Sequence, residues 1–148
     1  MATAHTYLNF PGNTEEAFEF YRSVFGGEFT SVVRFGDFGP ANNGQLAEAD
    51  RDKIMHIGLK IGENDMLMGT DAPESMGFKV TFGNNSYIYV EADSAGDAER
   101  LFGALSKGGK VEMELAKTEW AEKYGSFTDK FGVQWMISYT GDVQFGGY

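Results

Sequence analysis

Apolar and polar residues alternate with a period of two in some stretches of this chain and recur every three to four residues in others, which separates strands from helices. His5 to Phe10 reads as a first strand, with Tyr7 and Asn9 on one side and Leu8 and Phe10 on the other. Asn13 or Thr14 then caps a helix, Glu16 sits as in a capping box, and Ala17, Phe20, Tyr21 and Val24 form the apolar stripe. Gly26-Gly27 stops that helix. Glu28 to Phe35 is a second strand, and Gly36 to Lys53, rich in Gly, Asn, Asp and Glu, has the pattern of a long loop that serves as a lid or a mobile connection. In Ile54 to Ile61, Met55, Ile57, Leu59 and Ile61 take the apolar face and His56, Gly58 and Lys60 the other, before Glu63-Asn64-Asp65 turns the chain into Met66 to Thr70.

After an irregular connection from Asp71 to Gly83 the pattern starts again. Tyr87-Ile88-Tyr89-Val90 repeats the first strand, Ser94 caps a helix with the stripe Ala98, Leu101, Phe102 and Leu105, and Gly108-Gly109 stops it. The offset is 80 residues at the strands (Tyr7 to Tyr87) and 81 along the helices (Ala17 to Ala98). Lys110 to Leu115, Gly125 to Asp129 and Val133 to Tyr139 complete the set, the last two joined by the turn Asp129-Lys130-Phe131-Gly132. The expected fold is α+β: two βαβββ repeats, about 5–70 and 84–140, in a single domain spanning 1–148, each a curved antiparallel sheet with its helix on the outer face.

In such a sheet Leu8, Phe10, Ile57, Leu59, Ile88 and Val90 face the helix. The opposite, concave set from the first repeat is Tyr7, Asn9, His56 and Met68, and from the second it is Tyr87, Tyr89, Gln134 and Met136. Trp120 and Tyr124, ahead of the last hairpin, either close one end of a pocket or pack beneath a loop. The mixture of aromatic, thioether and hydrogen-bonding groups suits a small-molecule pocket; packing against the other repeat or a second subunit is the alternative use of the same face.

The stretch W-x-x-x-Y-G at Trp120 to Gly125, followed by D-K-F-G-V-Q-W-M-I from Asp129, resembles the C-terminal hairpin of the PhnB-like branch of the vicinal oxygen chelate superfamily, which includes glyoxalase I, bleomycin-resistance proteins and extradiol dioxygenases. Tyr7 to Asn13, Glu15-Glu16-Ala17, Phe20-Tyr21, Met55-His56 and Gly69-Thr70-Asp71 resemble the same branch, so the match runs from Tyr7 to Tyr139. The resemblance implies the glyoxalase/bleomycin-resistance fold, a homodimer that closes the sheets, and in many relatives a metal that binds paired substrate oxygens. Its metal positions fall on Tyr7, Tyr87 and Met136, none a ready ligand for a hard divalent ion. One fold hosts many chemistries, and the reaction does not follow from the resemblance.

Charge and composition narrow the partners. The formal net charge of −10 argues against binding a phosphate backbone, and no apolar run approaches the length of a membrane span. With no cysteine, disulfides and thiolate chemistry are excluded and a cytoplasmic setting is the expectation. Thirteen Phe, seven Tyr and two Trp exceed what a minimal core requires, in keeping with an aromatic-lined pocket.

The chain has two histidines, His5 and His56. His56 is the candidate catalytic residue, either binding or transferring a proton in the pocket or serving as a hydrogen-bonded structural imidazole. A metal site rebuilt from His5 or His56 is the alternative to an empty one; no metal and no cofactor is the expectation. No nucleophile elbow, dinucleotide-binding glycine motif or His-Glu-x-x-His is present, and Glu112 with Glu114 reads as a solvated strand face. The expected function is binding of a small organic molecule without a metal. A metal-dependent lyase, isomerase or dioxygenase, and a protein that sequesters a drug or metabolite, are the competing readings.

Overall fold

Two helices of twelve residues each mark the two repeats, and their termini show how the sequence sets them. The computed structural model describes residues 1–37 and 46–143, and the chain divides into two units, Met1–Thr81 and Phe82 onward. In the first unit the order is β1 (Thr6–Phe10), α1 (Thr14–Phe25), β2 (Phe29–Arg34), β3 (Ile54–Lys60) and β4 (Met66–Asp71). In the second it is β5 (Ile88–Glu91), α2 (Ala95–Ser106), β6 (Lys110–Ala116), β7 (Lys123–Thr128) and β8 (Gln134–Tyr139). The repeated βαβββ plan is therefore present.

Each unit has one four-stranded sheet, ordered β1-β4-β3-β2 and β5-β8-β7-β6. The sheets are mixed, which corrects the expectation of wholly antiparallel ones: β1 runs parallel to β4, and β5 to β8. The helical crossover brings β2 back in the direction of β1, and two antiparallel reversals then leave β4 in that direction too.

Helix α1 starts differently from the capping box expected of Asn13. The Asn13 side chain makes no capping bond, and its Oδ1 is buried without a partner. The buried carboxylate of Asp71 does the work instead: Oδ1 accepts from Thr14 N (3.0 Å) and Thr14 Oγ1 (2.6 Å), and Oδ2 from Ile54 N (2.8 Å). One negative side chain thus holds a helix N-terminus, where the dipole favours it, and the start of β3. In α2 the expected cap is found, with Ser94 Oγ accepting from Asp97 N at 3.0 Å. Gly26 ends α1 in the left-handed conformation at φ 73°.

The core of each unit lies between helix and sheet. Phe10, Phe18 and Tyr21 are fully buried and meet edge to face, at 6.3 Å for Phe10–Phe18 and 5.7 Å for Phe18–Tyr21. In the second unit Phe102 meets Phe127 at 5.1 Å above buried Trp135 and Ile137. A glycine makes room for the helix aromatic in both: a Cβ on Gly69 would lie 2.7 Å from Phe18, and one on Gly125 2.6 Å from Phe102. Ile54 is buried and Met55 only half-buried, a correction to the simple alternation, because the β2–β3 register slips between Val33 and Arg34.

The last hairpin turns on Asp129, as its residue type predicts. Its buried carboxylate accepts from Phe131 N (2.8 Å), Val133 N (3.0 Å) and the indole Nε1 of Trp135 (2.9 Å), while Gly132 takes φ 93°. The described ends of the Gly36 to Lys53 stretch are tied by Phe35 N to Lys53 O and Gly36 N to Arg51 O. Asp50 is buried there, bonded to Ser75 and paired with Lys53 at 2.7 Å. Residues 38–45 of the stretch expected to serve as a lid or a mobile connection lie outside the described residues. Among the described residues no helix is long and apolar enough to cross a membrane.

Candidate functional site

Strand alternation decides which side chains leave the helix-covered face. In the first unit Leu8, Gly69 and Ile57 share one row across the sheet, and Gly69 lies under Phe18 of α1. Tyr7, Met68 and Gly58, one residue away on each strand, therefore form a row on the opposite face, and Asn9 stands beside Thr70 in the next. His56 points to that face as expected, because its ring reaches Tyr7: the hydroxyl lies 3.2 Å from Nδ1 and the ring centroids 5.7 Å apart. Burial pushes the Tyr7 phenol above its ordinary value, and a hydrogen bond with Thr70 opposes the rise. All four residues expected from the first repeat are brought to one face. Asn9 is exposed, Tyr7 is half exposed, and His56 and Met68 are half-buried.

In the second unit Gly125 lies under Phe102 of α2, in register with Ile137 and through it with Val90. Tyr89, Met136 and Ser126 make the neighbouring row on the other face, followed by Glu91, Ser138 and Tyr124. Gln134 and Thr128 pair beyond Met136, and the Gln134 amide, turned so that its nitrogen donates, reaches the carbonyls of Gly83 (2.8 Å) and Ser86 (3.2 Å). Tyr87, just ahead of β5, joins this face through its hydroxyl. Trp120 and Tyr124 meet edge to face at 5.3 Å, and Trp120 is 38% exposed, so the pair is not buried core.

The bonds of Glu112 are what sequence reasoning missed. It is exposed together with Glu114, as a solvated strand face has it, and its carboxylate also accepts from Tyr87 Oη at 2.7 and 3.0 Å and from Ser126 Oγ at 2.9 Å. That bond holds the Tyr87 phenol above its ordinary value, with burial adding to it. Tyr89 Oη similarly donates to Glu91 at 3.0 Å; burial is the main cause of its raised phenol, hydrogen bonds with Ser138 and Thr140 oppose the rise, and Glu91 adds to it. A tyrosine-to-glutamate bond across β5 and β6 depends on pairing between strands distant in sequence. The signal in the chain was a carboxylate at Glu112 on the face shared by Ser126.

The superfamily's metal positions can be tested against these donors. Tyr7 and Tyr87 present phenols already bonded to His56 and Glu112, and Met136 presents a thioether between Tyr89 and Ser126. His5 is exposed ahead of β1. Among the described residues no three His, Cys, Asp or Glu side chains gather.

Comparison with known proteins follows the same lines. The family model described as Glyoxalase/Bleomycin resistance protein/Dioxygenase superfamily matches residues 4–137. The chain is 30% identical over 139 residues to protein YjdN of Escherichia coli K12, covering 89% of this chain and 91% of the relative. It superposes on the crystal structure of protein PA1353 from Pseudomonas aeruginosa with a TM-score of 0.82 and 37% identity, over 94% of this chain and 98% of that one. The PhnB protein from Bacillus cereus is similar at a TM-score of 0.75 and 25% identity, over 93% and 99% of the two chains.

Proposed function

Because the chain belongs to the Glyoxalase/Bleomycin resistance protein/Dioxygenase superfamily, we propose that it binds a small organic molecule on the sheet faces away from its helices, and does so without a metal ion. The observation that carries this reading is the chemistry at the metal positions. A hard divalent cation calls for imidazole, carboxylate or water oxygen at fixed geometry. Tyr7, Tyr87 and Met136 supply two protonated, already bonded phenols and a soft sulfur. Those groups do not fit the ion, but within each unit they suit an apolar or aromatic body: Tyr7 beside His56 on the first sheet, and Tyr87 and Met136 with the Gln134 amide on the second.

His56 is the pocket group able to exchange a proton, through the ring nitrogen that Tyr7 leaves free. The test is a fragment screen by ligand-observed NMR, followed by amide shift mapping on the full chain. Fragments that shift the resonances around Tyr7, His56, Tyr89 and Met136 support the reading. A screen whose hits all map to the helix surfaces, or that yields no hit, overturns it.

The same proposal includes a homodimer. Strands β2 and β6 are sheet edges, and Val32 and Met113 on them are 42% and 47% exposed. Edge strands with exposed apolar side chains are places where chains pair. Light scattering across micromolar concentrations is expected to give twice the chain mass; a constant monomer contradicts it.

A further inference from the structure

The half-buried imidazole of His56 is held at one nitrogen and open at the other. Nδ1 lies 3.2 Å from the Tyr7 hydroxyl, whereas Nε2 has no partner among the described residues. With Tyr7 as donor to Nδ1, the neutral ring carries its one hydrogen on Nε2 and offers it to the helix-free face. Tyr7 stands on β1 and His56 on β3, so the phenol spans β4 to make this contact and lays its ring across the face. Asn9, in register with Thr70 on the same face, adds an exposed amide that makes no hydrogen bond among the described residues.

Charge sets this face apart from the rest of the chain. The formal net charge is −10, with 22 Asp and Glu in 148 residues, yet β1 to β4 contain a single acid, Asp71. Its carboxylate is buried on the helix side, where Thr14 and Ile54 donate to it. The one Lys on these strands, Lys60, is four residues along β3 from His56, roughly 13 Å away, and sits opposite Glu28, whose carbonyl accepts from Lys60 N at 3.1 Å. Beside His56 the face therefore presents N–H donors and no fixed negative charge. Its apolar part is the Tyr7 ring with the thioethers of Met68, in register with Tyr7, and Met66, which reaches over Gly58. The helix-free face of the second unit differs, since Glu91 and Glu112 stand on it beside Tyr89 and Tyr87.

We infer that the first unit takes an organic carboxylate with an apolar or aromatic body, its carboxylate oxygen accepting from Nε2–H of His56. The inference rests on the small-molecule reading above and names the ligand's chemistry. A hydrogen bond to a charged oxygen is about twice as strong as one to a neutral carbonyl, so the carboxylate gains over an amide of the same shape. An ammonium brings further donors to a place that already has donors, and finds no carboxylate there to pair with.

Three probes with the same aromatic body separate the possibilities: phenylacetate, phenylacetamide and phenethylammonium, titrated into the full chain and followed by amide shifts. Phenylacetate is expected to bind about tenfold tighter than phenylacetamide, with phenethylammonium weakest and the carboxylate's shifts centred on Tyr7, His56 and Met68. His56→Gln, whose amide nitrogen takes the place of Nε2, is expected to keep the preference. His56→Asn, whose amide extends only as far as Nδ1, is expected to abolish it, both variants being checked for folding by circular dichroism. Should neither fold, long-range nitrogen-proton NMR on the native complex decides: a hydrogen on Nε2 with phenylacetate bound supports the inference, and a bare Nε2 overturns it. Either other probe binding as tightly as phenylacetate, carboxylate shifts that map to Tyr89 and Met136, or a preference that survives His56→Asn overturns the inference and leaves small-molecule binding standing. No shift from any probe also overturns it, and the fragment screen alone then decides whether the broader function falls too.

Discussion

The Tyr7 hydroxyl lies 3.2 Å from Nδ1 of His56, with the two rings tilted at 31°. The phenol is raised by burial and keeps its proton at neutral pH, and a phenol oxygen either donates to Nδ1 or accepts from an Nδ1–H, as the imidazole tautomer sets. With the phenol as donor, His56 Nδ1 accepts and the neutral ring carries its hydrogen on Nε2. The expected outcome is an Nε2–H tautomer for His56 by long-range nitrogen-proton NMR, readily assigned because the chain has two histidines. Tyr7→Phe is expected to mix the tautomers while leaving the fold intact. A pure Nδ1–H tautomer in the native chain would reverse the bond and with it the chemistry offered to a ligand.

Asp129 sets the stability of the last hairpin. Three N–H groups point at one buried carboxylate, and its removal takes that acceptor from each of them. Asp129→Ala is therefore expected to cost about 3–5 kcal/mol in urea unfolding. Asp129→Asn is expected to cost less than the alanine variant but still more than 1 kcal/mol, roughly, because its amide nitrogen faces donors where an acceptor is needed. Retention of native stability in Asp129→Ala would show that the turn is held by Gly132 and strand pairing alone.

What the sequence made legible, and what it did not, follows from the range of each interaction. Helix α1 at Thr14–Phe25, the Ser94 cap and the Asp129 turn depend on neighbours within a few residues, and the residue types at those positions state them. Alternation likewise placed Tyr7, His56, Tyr89 and Met136 on the correct face. The Asn13 cap failed because Asp71, 57 residues from Thr14, competes for the same helix terminus. Glu112 was passed over for the same reason, since its bond to Tyr87 spans 25 residues and depends on strands that a linear pattern does not align.

Stability is expected to fall at both ends of the pH scale. The Arg34 guanidinium holds Glu15 below its ordinary value, with contacts of 2.6 and 3.1 Å, and Asp50 is lowered first by Lys53 and then by Ser75. A carboxylate lowered on folding contributes stability above its unfolded pKa and loses it as pH falls through the folded value, so the melting temperature drops below about pH 4. Tyr7, Tyr87 and Tyr89 are raised, and Lys53 is raised by Asp50. Their contribution is complete below the unfolded pKa and is lost as pH rises, beginning near pH 10, roughly. Glu15→Gln combined with Asp50→Asn is expected to flatten the acid limb of melting temperature against pH and to remove the Lys53 share of the alkaline one, while the tyrosine share stays. An unchanged acid limb would assign acid unfolding to other carboxylates.

Metal dependence gives the sharpest division between binding without a metal and a lyase, isomerase or dioxygenase of the same superfamily. A cation that activates paired oxygens needs about three protein donors while keeping open positions. At Tyr7 and Tyr87 the proton must first leave a phenol whose pKa is raised, so coordination competes with both the proton and the existing hydrogen bond. At Met136 the donor is a thioether, suited to softer ions. Chain purified without chelator is expected to contain less than about 0.1 equivalent of any transition metal, and its melting temperature to move by less than about 1 °C with added Zn²⁺, Mg²⁺, Mn²⁺ or Ni²⁺, because a ligand that binds the native state at saturating excess raises stability by several kcal/mol. Stoichiometric metal in the native chain that disappears on His56→Asn or His5→Ala would place the ion on rebuilt ligands and overturn the metal-free reading.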